Sequence, residues 1–271
     1  MKLRKVLLAL GLGMCIMMTG CGSSSTTSTG GSGSSEAQEI QAIKDRGVLK
    51  VGVKVDVPKF GYKNPGTGEI EGFEIDLSKQ IAKKILGDES KVEFQGVTAK
   101  TRGPLLDNGE VDMIAATFTV TEERKKSYNF SDSYLKDGVG LLVKKSLGVS
   151  SLKDLDGKTI GVAQSSTTKA ALEKEATNQG IKLKFSELGG YPEIKAALDS
   201  GRVDCFAVDA SILNGYVDDS TVILNDKYNP QEYGVASKKD NTELAKVINE
   251  VVNEMKTSGE MDKLIAKWDI K

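Results

Sequence analysis

Histidine is absent from all 271 residues of this chain. That gap removes the usual neutral-pH general base, the Ser-His-Asp triad and most zinc sites together. Cysteine is scarce, with only Cys15, Cys21 and Cys205. Cys205 lies in the apolar run "VDCFAV" and reads as a small core residue. No sign of charge dominates, since Lys+Arg is 37 and Asp+Glu is 38, which excludes the basic footprint of a nucleic-acid-binding surface. The apolar run near the start, "VLLALGLGMCIMM", is shorter than the roughly 20 residues a membrane-spanning helix needs.

That run is preceded by the basic "MKLRK" and followed by the small residues of "TGC". The order predicts a cleaved signal segment over residues 1–20. A Ser/Thr/Gly-rich tract comes next and cannot form a core, so 21–39 is expected to be a tether. An apolar segment, a cysteine and a polar tether in this order resemble the bacterial lipoprotein signal, which implies lipid on Cys21 and an extracytoplasmic, membrane-anchored address. An ordinary secretory signal with an incidental cysteine is the alternative. Cleavage would remove Lys2, Arg4 and Lys5 and no acid, leaving 34 basic against 38 acidic residues, a net −4. Cys15 would leave with the signal, so Cys205 has no partner for an intramolecular disulfide.

Two stretches repeat one pattern: "LDNGEVDMIAATFT" from Leu106 and "LDSGRVDCFAVDAS" from Leu198. Each reads as a helix end, a glycine turn and a buried strand. "LKVGVKVD" from Leu49 pairs likewise with "KTIGVAQS" from Lys158, and "KVEFQGV" from Lys91 with "KLKFSEL" from Lys182. Three pairings in the same order predict two α/β lobes, each a mainly parallel sheet flanked by helices. The boundaries expected are 40–144 for the first part of lobe one, 145–234 for lobe two and 235–271 for the helical return to lobe one. "GLLVKKS" and "YGVASKKD" are read as two strands crossing between the lobes, a hinge beside a cleft.

Ligands of open α/β sheets bind beyond the carboxyl ends of the strands. That rule selects Lys54, Arg102, Thr117, Thr119 and Arg124 from lobe one, and Ser166, Thr167, Tyr191 and Asp209 from lobe two. Asp209 suits an ammonium, and Arg124 with the start of its helix suits a carboxylate. Lys54 and Arg102 would then need a second anion, because unpaired buried charges are costly. An acidic amino acid is the expectation. Asp56 and Asp76 are read as structural, Asp76 as a helix cap. "NPGTGEIEGF" is a hairpin turn and not a phosphate loop, since no helix and no Lys-Ser/Thr follow it. Nothing calls for a metal or cofactor.

"GFEIDLSKQIAKKI", "AATFTVTEERKKSYNFSDSY", "DLDGKTIGVAQSSTTKAAL" and "DCFAVDASIL" resemble the polar amino acid-binding proteins of bacterial ABC importers, solute-binding protein family 3. "KVDVPKF", "AKTRGPLLDNG" and "ELGGYPEIKAALD" are similar to its aspartate/glutamate-binding subgroup. The resemblance implies a two-lobed periplasmic-binding-protein fold of type II, acting as a monomer without catalysis and delivering L-glutamate or L-aspartate to a permease and ATPase on other chains. It also implies that Arg124, Thr119 and Thr167 hold the α-carboxylate and that Thr117 and Asp209 receive the ammonium. Lys54, Arg102 and Tyr191 would surround the side-chain carboxylate. Many relatives carry glycine where this chain has Thr117. A receptor for glutamine or another polar amino acid is the alternative; an enzyme on the same fold and a sensory lipoprotein are further ones.

Overall fold

The apolar run "LKVGV" forms the strand Leu49–Val53, whose Val51 and Val53 are wholly buried. It lies between Val92–Gly96 and Met113–Ala115, parallel to both. Thr159–Ala163 stands in the same way between Lys184–Leu188 and Cys205–Asp209, again parallel to both. In each trio the first strand in sequence is the middle one in space, the arrangement right-handed crossovers produce. The internal repeat is therefore a repeat of structure. The computed structural model describes residues 35–270, which belong to one compact unit. The expected signal segment 1–20, Cys21 and the tether up to residue 34 lie outside the described residues.

Both sheets are mixed. The first is completed by Ala236–Lys238, antiparallel to Met113–Ala115, and by Tyr128–Phe130 at its edge. The second adds Leu135–Lys144, which runs antiparallel to Cys205–Asp209, Thr221–Ile223 and Tyr228–Tyr233. A small sheet of Asp56–Val57, Gly61–Lys63 and Ile70–Glu71 flanks the cleft. Amphipathic helices cover the sheets. Phe73–Leu86 buries Phe73, Ile75, Leu77, Ile81 and Ile85, and Thr242–Ser258 buries Leu244, Ile248, Val251 and Val252 in the same core.

Three expectations shift. Leu135–Lys144 belongs to the second sheet throughout, so the first part of lobe one ends at Tyr134 and not at 144. The Lys-Lys pair marks the far end of that strand. The chain crosses between the sheets at 131–134 and returns at 234–235, and the two segments are tied by Ser131 N to Val235 O at 2.9 Å and Tyr134 N to Tyr233 O at 3.0 Å. The tether's last residues already lie in the helix Ser35–Arg46, whose Ile43 is buried in the core. Asp76 does not cap its helix: Gly72 is the N-cap, while Asp76 Oδ2 accepts from Lys267 Nζ at 2.7 Å and Trp268 Nε1 at 2.8 Å. The C-terminal helix is thereby fastened to lobe one. Gly72 has φ 141, and a Cβ there would overlap the Phe60 carbonyl, so only glycine opens this helix.

Candidate functional site

Lys54 follows the strand Leu49–Val53, and Gly61 lets the neighbouring strand approach it closely, since a Cβ on Gly61 would overlap the Lys54 carbonyl. The Lys54 side chain is 2% exposed. Its ammonium lies 2.9 Å from Asp56 Oδ1 and 4.5 Å from the centroid of the Tyr191 ring. Burial pulls the ammonium's pKa down, and the adjacent Asp56 carboxylate opposes that shift. Asp56, read as structural in the sequence, is the direct counter-ion of a cleft lysine.

Arg102 opens the helix Arg102–Asp107 and is buried. Nη1 donates to the carbonyls of Ala116 at 2.7 Å and Thr117 at 3.1 Å. Its guanidinium rests 4.0 Å from the Phe118 ring centroid, and that of Arg124 rests 4.6 Å from the same ring. Burial lowers the pKa of both, and in Arg124 the charge of Arg102 adds to it and brings the group to about 9. Two like-charged guanidinium groups so placed call for anions.

Glu74 supplies one of them. It is wholly buried in the first turn of Phe73–Leu86; Oε1 accepts from Thr117 N at 2.6 Å and from the Tyr134 hydroxyl. Burial raises its pKa to about 6 against the lowering effects of Tyr134, the Thr117 N–H, Arg102 and Lys54. The Glu74 bond pins Thr117 in a left-handed turn, φ 45, where glycine is ordinarily favoured. The sequence offered one hint of Glu74, an acid on the apolar face of an amphipathic helix.

Arg124 lies in the six-residue helix Glu122–Ser127, capped by Thr121, whose hydroxyl accepts from Arg124 N at 3.1 Å. Nη1 donates to Thr119 O at 2.7 Å, and Nη2 crosses the cleft to Ser165 O at 3.2 Å. Further contacts join the lobes. The Tyr216 hydroxyl donates to the Asp56 carbonyl, and Gly215 abuts Pro58 so closely that a Cβ would sit 2.9 Å from its ring. The loop before Thr168–Gln179 thus reaches the site through Ser165. Ser166 Oγ is buried without a hydrogen-bond partner, while the Thr167 hydroxyl donates to Gln231 Oε1 at 2.8 Å. The hydroxyl proton of Thr167, expected to help hold an α-carboxylate at this helix start, is thus engaged by Gln231, while its main chain stands at the N-cap of Thr168–Gln179.

Asp209 ends the strand Cys205–Asp209 and is 5% exposed. Oδ2 accepts from the Tyr233 hydroxyl, and Oδ1 has no hydrogen-bond partner. Burial, then the charge of Asp137, raises its pKa to about 7, against Tyr233, Arg102 and Arg124. Tyr191 belongs to the same lobe, at the start of Tyr191–Asp199, its phenol pushed up by burial and by Asp209. Thr119 is buried, bridged to Tyr233. The nine residues selected from the sequence lie in or beside the segments that follow strands or open helices, with Thr119 in an isolated bridge to Tyr233.

The charges now balance. Lys54, Arg102 and Arg124 face Asp56, Glu74 and Asp209, while Asp137 is matched by Lys227 at 2.9 Å. The sequence reading counted the cations and left out two carboxylates. A buried site with equal charges of each sign suits a zwitterion better than a ligand with extra charge.

Residues 49–270 match the model of bacterial extracellular solute-binding proteins, family 3. The ABC transporter glutamine-binding protein GlnH of Bacillus subtilis (strain 168) is 40% identical over 256 residues, 93% of this chain and 92% of that protein. The glutamine-binding protein of Geobacillus stearothermophilus is 43% identical over 210 residues, 76% and 79% of the two chains. A solved structure of an ancestral arginine-binding protein bound to glutamine has a TM-score of 0.74 at 38% identity, covering 82% of this chain and 98% of that one. With a two-lobed α/β fold, a cluster of buried charged side chains at the strand ends and these likenesses together, the chain belongs to the bacterial extracellular solute-binding proteins of family 3, as an amino-acid-binding component of an ABC transporter.

Proposed function

We propose that the chain is a glutamine receptor that captures its ligand between the lobes and delivers it to a permease. The observation that carries this is the buried Lys54–Asp56 pair at 2.9 Å. A side-chain amide needs one donor and one acceptor together, and an ammonium beside a carboxylate offers both. Glutamate would instead bring a second carboxylate against Asp56. The acidic-ligand expectation rested on Lys54 and Arg102 being free, but Asp56 engages one and the Ala116 and Thr117 carbonyls with Glu74 nearby engage the other. The relatives named for glutamine support the same preference.

In this assignment Arg124 takes the α-carboxylate with Ser166 Oγ and Thr119, and Asp209 Oδ1 with Thr117 Oγ1 takes the ammonium. Tyr191 lies against the side chain. A ligand that bridges Arg124 of lobe one and Asp209 of lobe two favours closure, because only contacts that differ between the open and closed forms shift their balance. The receptor works as a monomer, performs no chemistry, and is held outside the membrane by lipid on Cys21, which raises its effective concentration near the permease. The test is calorimetric titration of the protein from Glu36 onward with L-glutamine, L-glutamate, L-aspartate and L-arginine. Tight glutamine binding with weak glutamate is expected; tighter binding of glutamate or aspartate would return the site to the acidic reading.

A further inference from the structure

Tyr134 and Tyr233 stand side by side where the chain passes between the sheets. Tyr134 N donates to Tyr233 O at 3.0 Å, and the ring centroids are 6.2 Å apart. Their hydroxyls go to different lobes: Tyr134 donates to Glu74 Oε1, Tyr233 to Asp209 Oδ2. Glu74 Oε2 and Asp209 Oδ1 are buried without a hydrogen-bond partner. A carboxylate held through one oxygen presents the other in a fixed direction. Tyr134 in the first crossing segment and Tyr233 immediately before the second therefore each hold one carboxylate.

We propose that Tyr134 and Tyr233 are positioning residues of the ligand site, which from the hinge aim Glu74 and Asp209 into the cleft. Bending of the crossing segments and correct placement of the two carboxylates become one event. This deepens the reading of the cleft as an amino-acid site and rests on it. Asp209 faces Asp137 from the neighbouring strand, which opposes its ionisation, and Arg102 and Arg124, which favour it; Glu74 faces Arg102 and Lys54. Among the favourable influences on each carboxylate, the tyrosine hydrogen bond is the largest. Removing it therefore raises the pH at which the carboxylate gains its proton.

The test is the pH profile of L-glutamine affinity, from about pH 5 to about pH 8, for the wild type and Tyr233→Phe. Asp209 in the ligand-free protein ionises near pH 7, and a bound ammonium lowers that value, so wild-type affinity declines as pH falls below about 7. In Tyr233→Phe the affinity at pH 7 should drop about tenfold, the loss expected for one hydrogen bond to a charged group. The decline should also begin at higher pH. On an Asp209→Asn background Tyr233→Phe should cost nothing further. An equal loss at every pH, or a further loss on that background, would overturn the positioning role. Tyr134→Phe tests the other arm through a different quantity: a neutral Glu74 leaves the site one positive charge in excess, so the preference for glutamine over glutamate should narrow. An unchanged preference refutes that arm. If the wild type binds L-arginine or L-glutamate in place of L-glutamine, the proposed ligand fails, while the Tyr233 series run with that amino acid still decides the hinge role, because the α-ammonium is common to all.

Discussion

On the proposed glutamine reading, replacing Asp56 by asparagine should turn the receptor toward glutamate. Lys54 Nζ and Asp56 Oδ1 are 2.9 Å apart, and at an effective dielectric constant of about 20 their attraction is roughly 6 kcal/mol. Much of that offsets the cost of taking both groups out of water. In Asp56→Asn the ammonium, on a side chain 2% exposed, keeps its dehydration cost and loses its anion. A glutamate side chain brings an anion back; a glutamine side chain does not. If glutamate recovers about a third of the attraction, its affinity relative to glutamine gains about 2 kcal/mol, or roughly thirtyfold. Calorimetry with both ligands on wild type and variant measures the ratio directly. It is best run near pH 6, because burial lowers the Lys54 pKa and Asp56 no longer opposes the shift in the variant. A change in the ratio below about threefold, under 1 kcal/mol, would show that the pair does not face the ligand's side chain.

Arg124→Ala should weaken every α-amino acid alike by about 2–5 kcal/mol, as for other truncated buried charge pairs; a loss confined to one ligand would remove Arg124 from the carboxylate role. Gly215→Ala puts a methyl 2.9 Å from the Pro58 ring across the cleft, so closure should be impeded and affinity should fall about tenfold. The thermal midpoint of the ligand-free protein should stay put, and an unchanged affinity would show that Pro58 and Gly215 separate freely. Burial raises Glu74 from 4.5 to about 6 and Asp209 from 3.8 to about 7. The folded chain thus binds more protons than the unfolded one between those values, and stability falls as pH rises through them. The ligand-free protein should accordingly gain thermal stability on acidification from about pH 7 to about pH 5, with a shallower gain in Asp209→Asn; a midpoint that falls over that window contradicts the assignment.

The lobes were legible because the repeat is local: helix end, glycine turn and buried strand each leave a short-range signature, and three of them recur in order. The strand-end rule then selected side chains of which Lys54, Arg102, Thr117, Thr119 and Asp209 prove to be buried polar groups. The counter-ions were less legible, since nothing in "KVD" says whether an acid two residues along turns toward its lysine or toward water. Asp56 turns toward Lys54 because the small sheet folds back over the strand end. Glu74 was hidden for another reason. An acid in a first helical turn has an ordinary explanation in the helix dipole, and its true partners, Thr117 N and Tyr134, lie 43 and 60 residues away. The first crossing was displaced because Leu135–Lys144 is one uninterrupted strand lying wholly in the second sheet, so its apolar run and closing Lys-Lys pair mark its far end and not a crossing.

The pairing of Lys54, Arg102 and Arg124 with Asp56, Glu74 and Asp209 also bears on how ligand arrives. A cleft with an excess of positive charge would draw anionic amino acids from a distance and would lose that advantage as ionic strength rises. Here the opposing charges cancel beyond a few ångströms, and a neutral zwitterion has no net charge to be pulled. Capture then depends on diffusion and on short-range fit, and its rate should stay nearly constant from dilute to saline surroundings. On the proposed glutamine reading, the capture rate of such a receptor should be insensitive to the salinity around it.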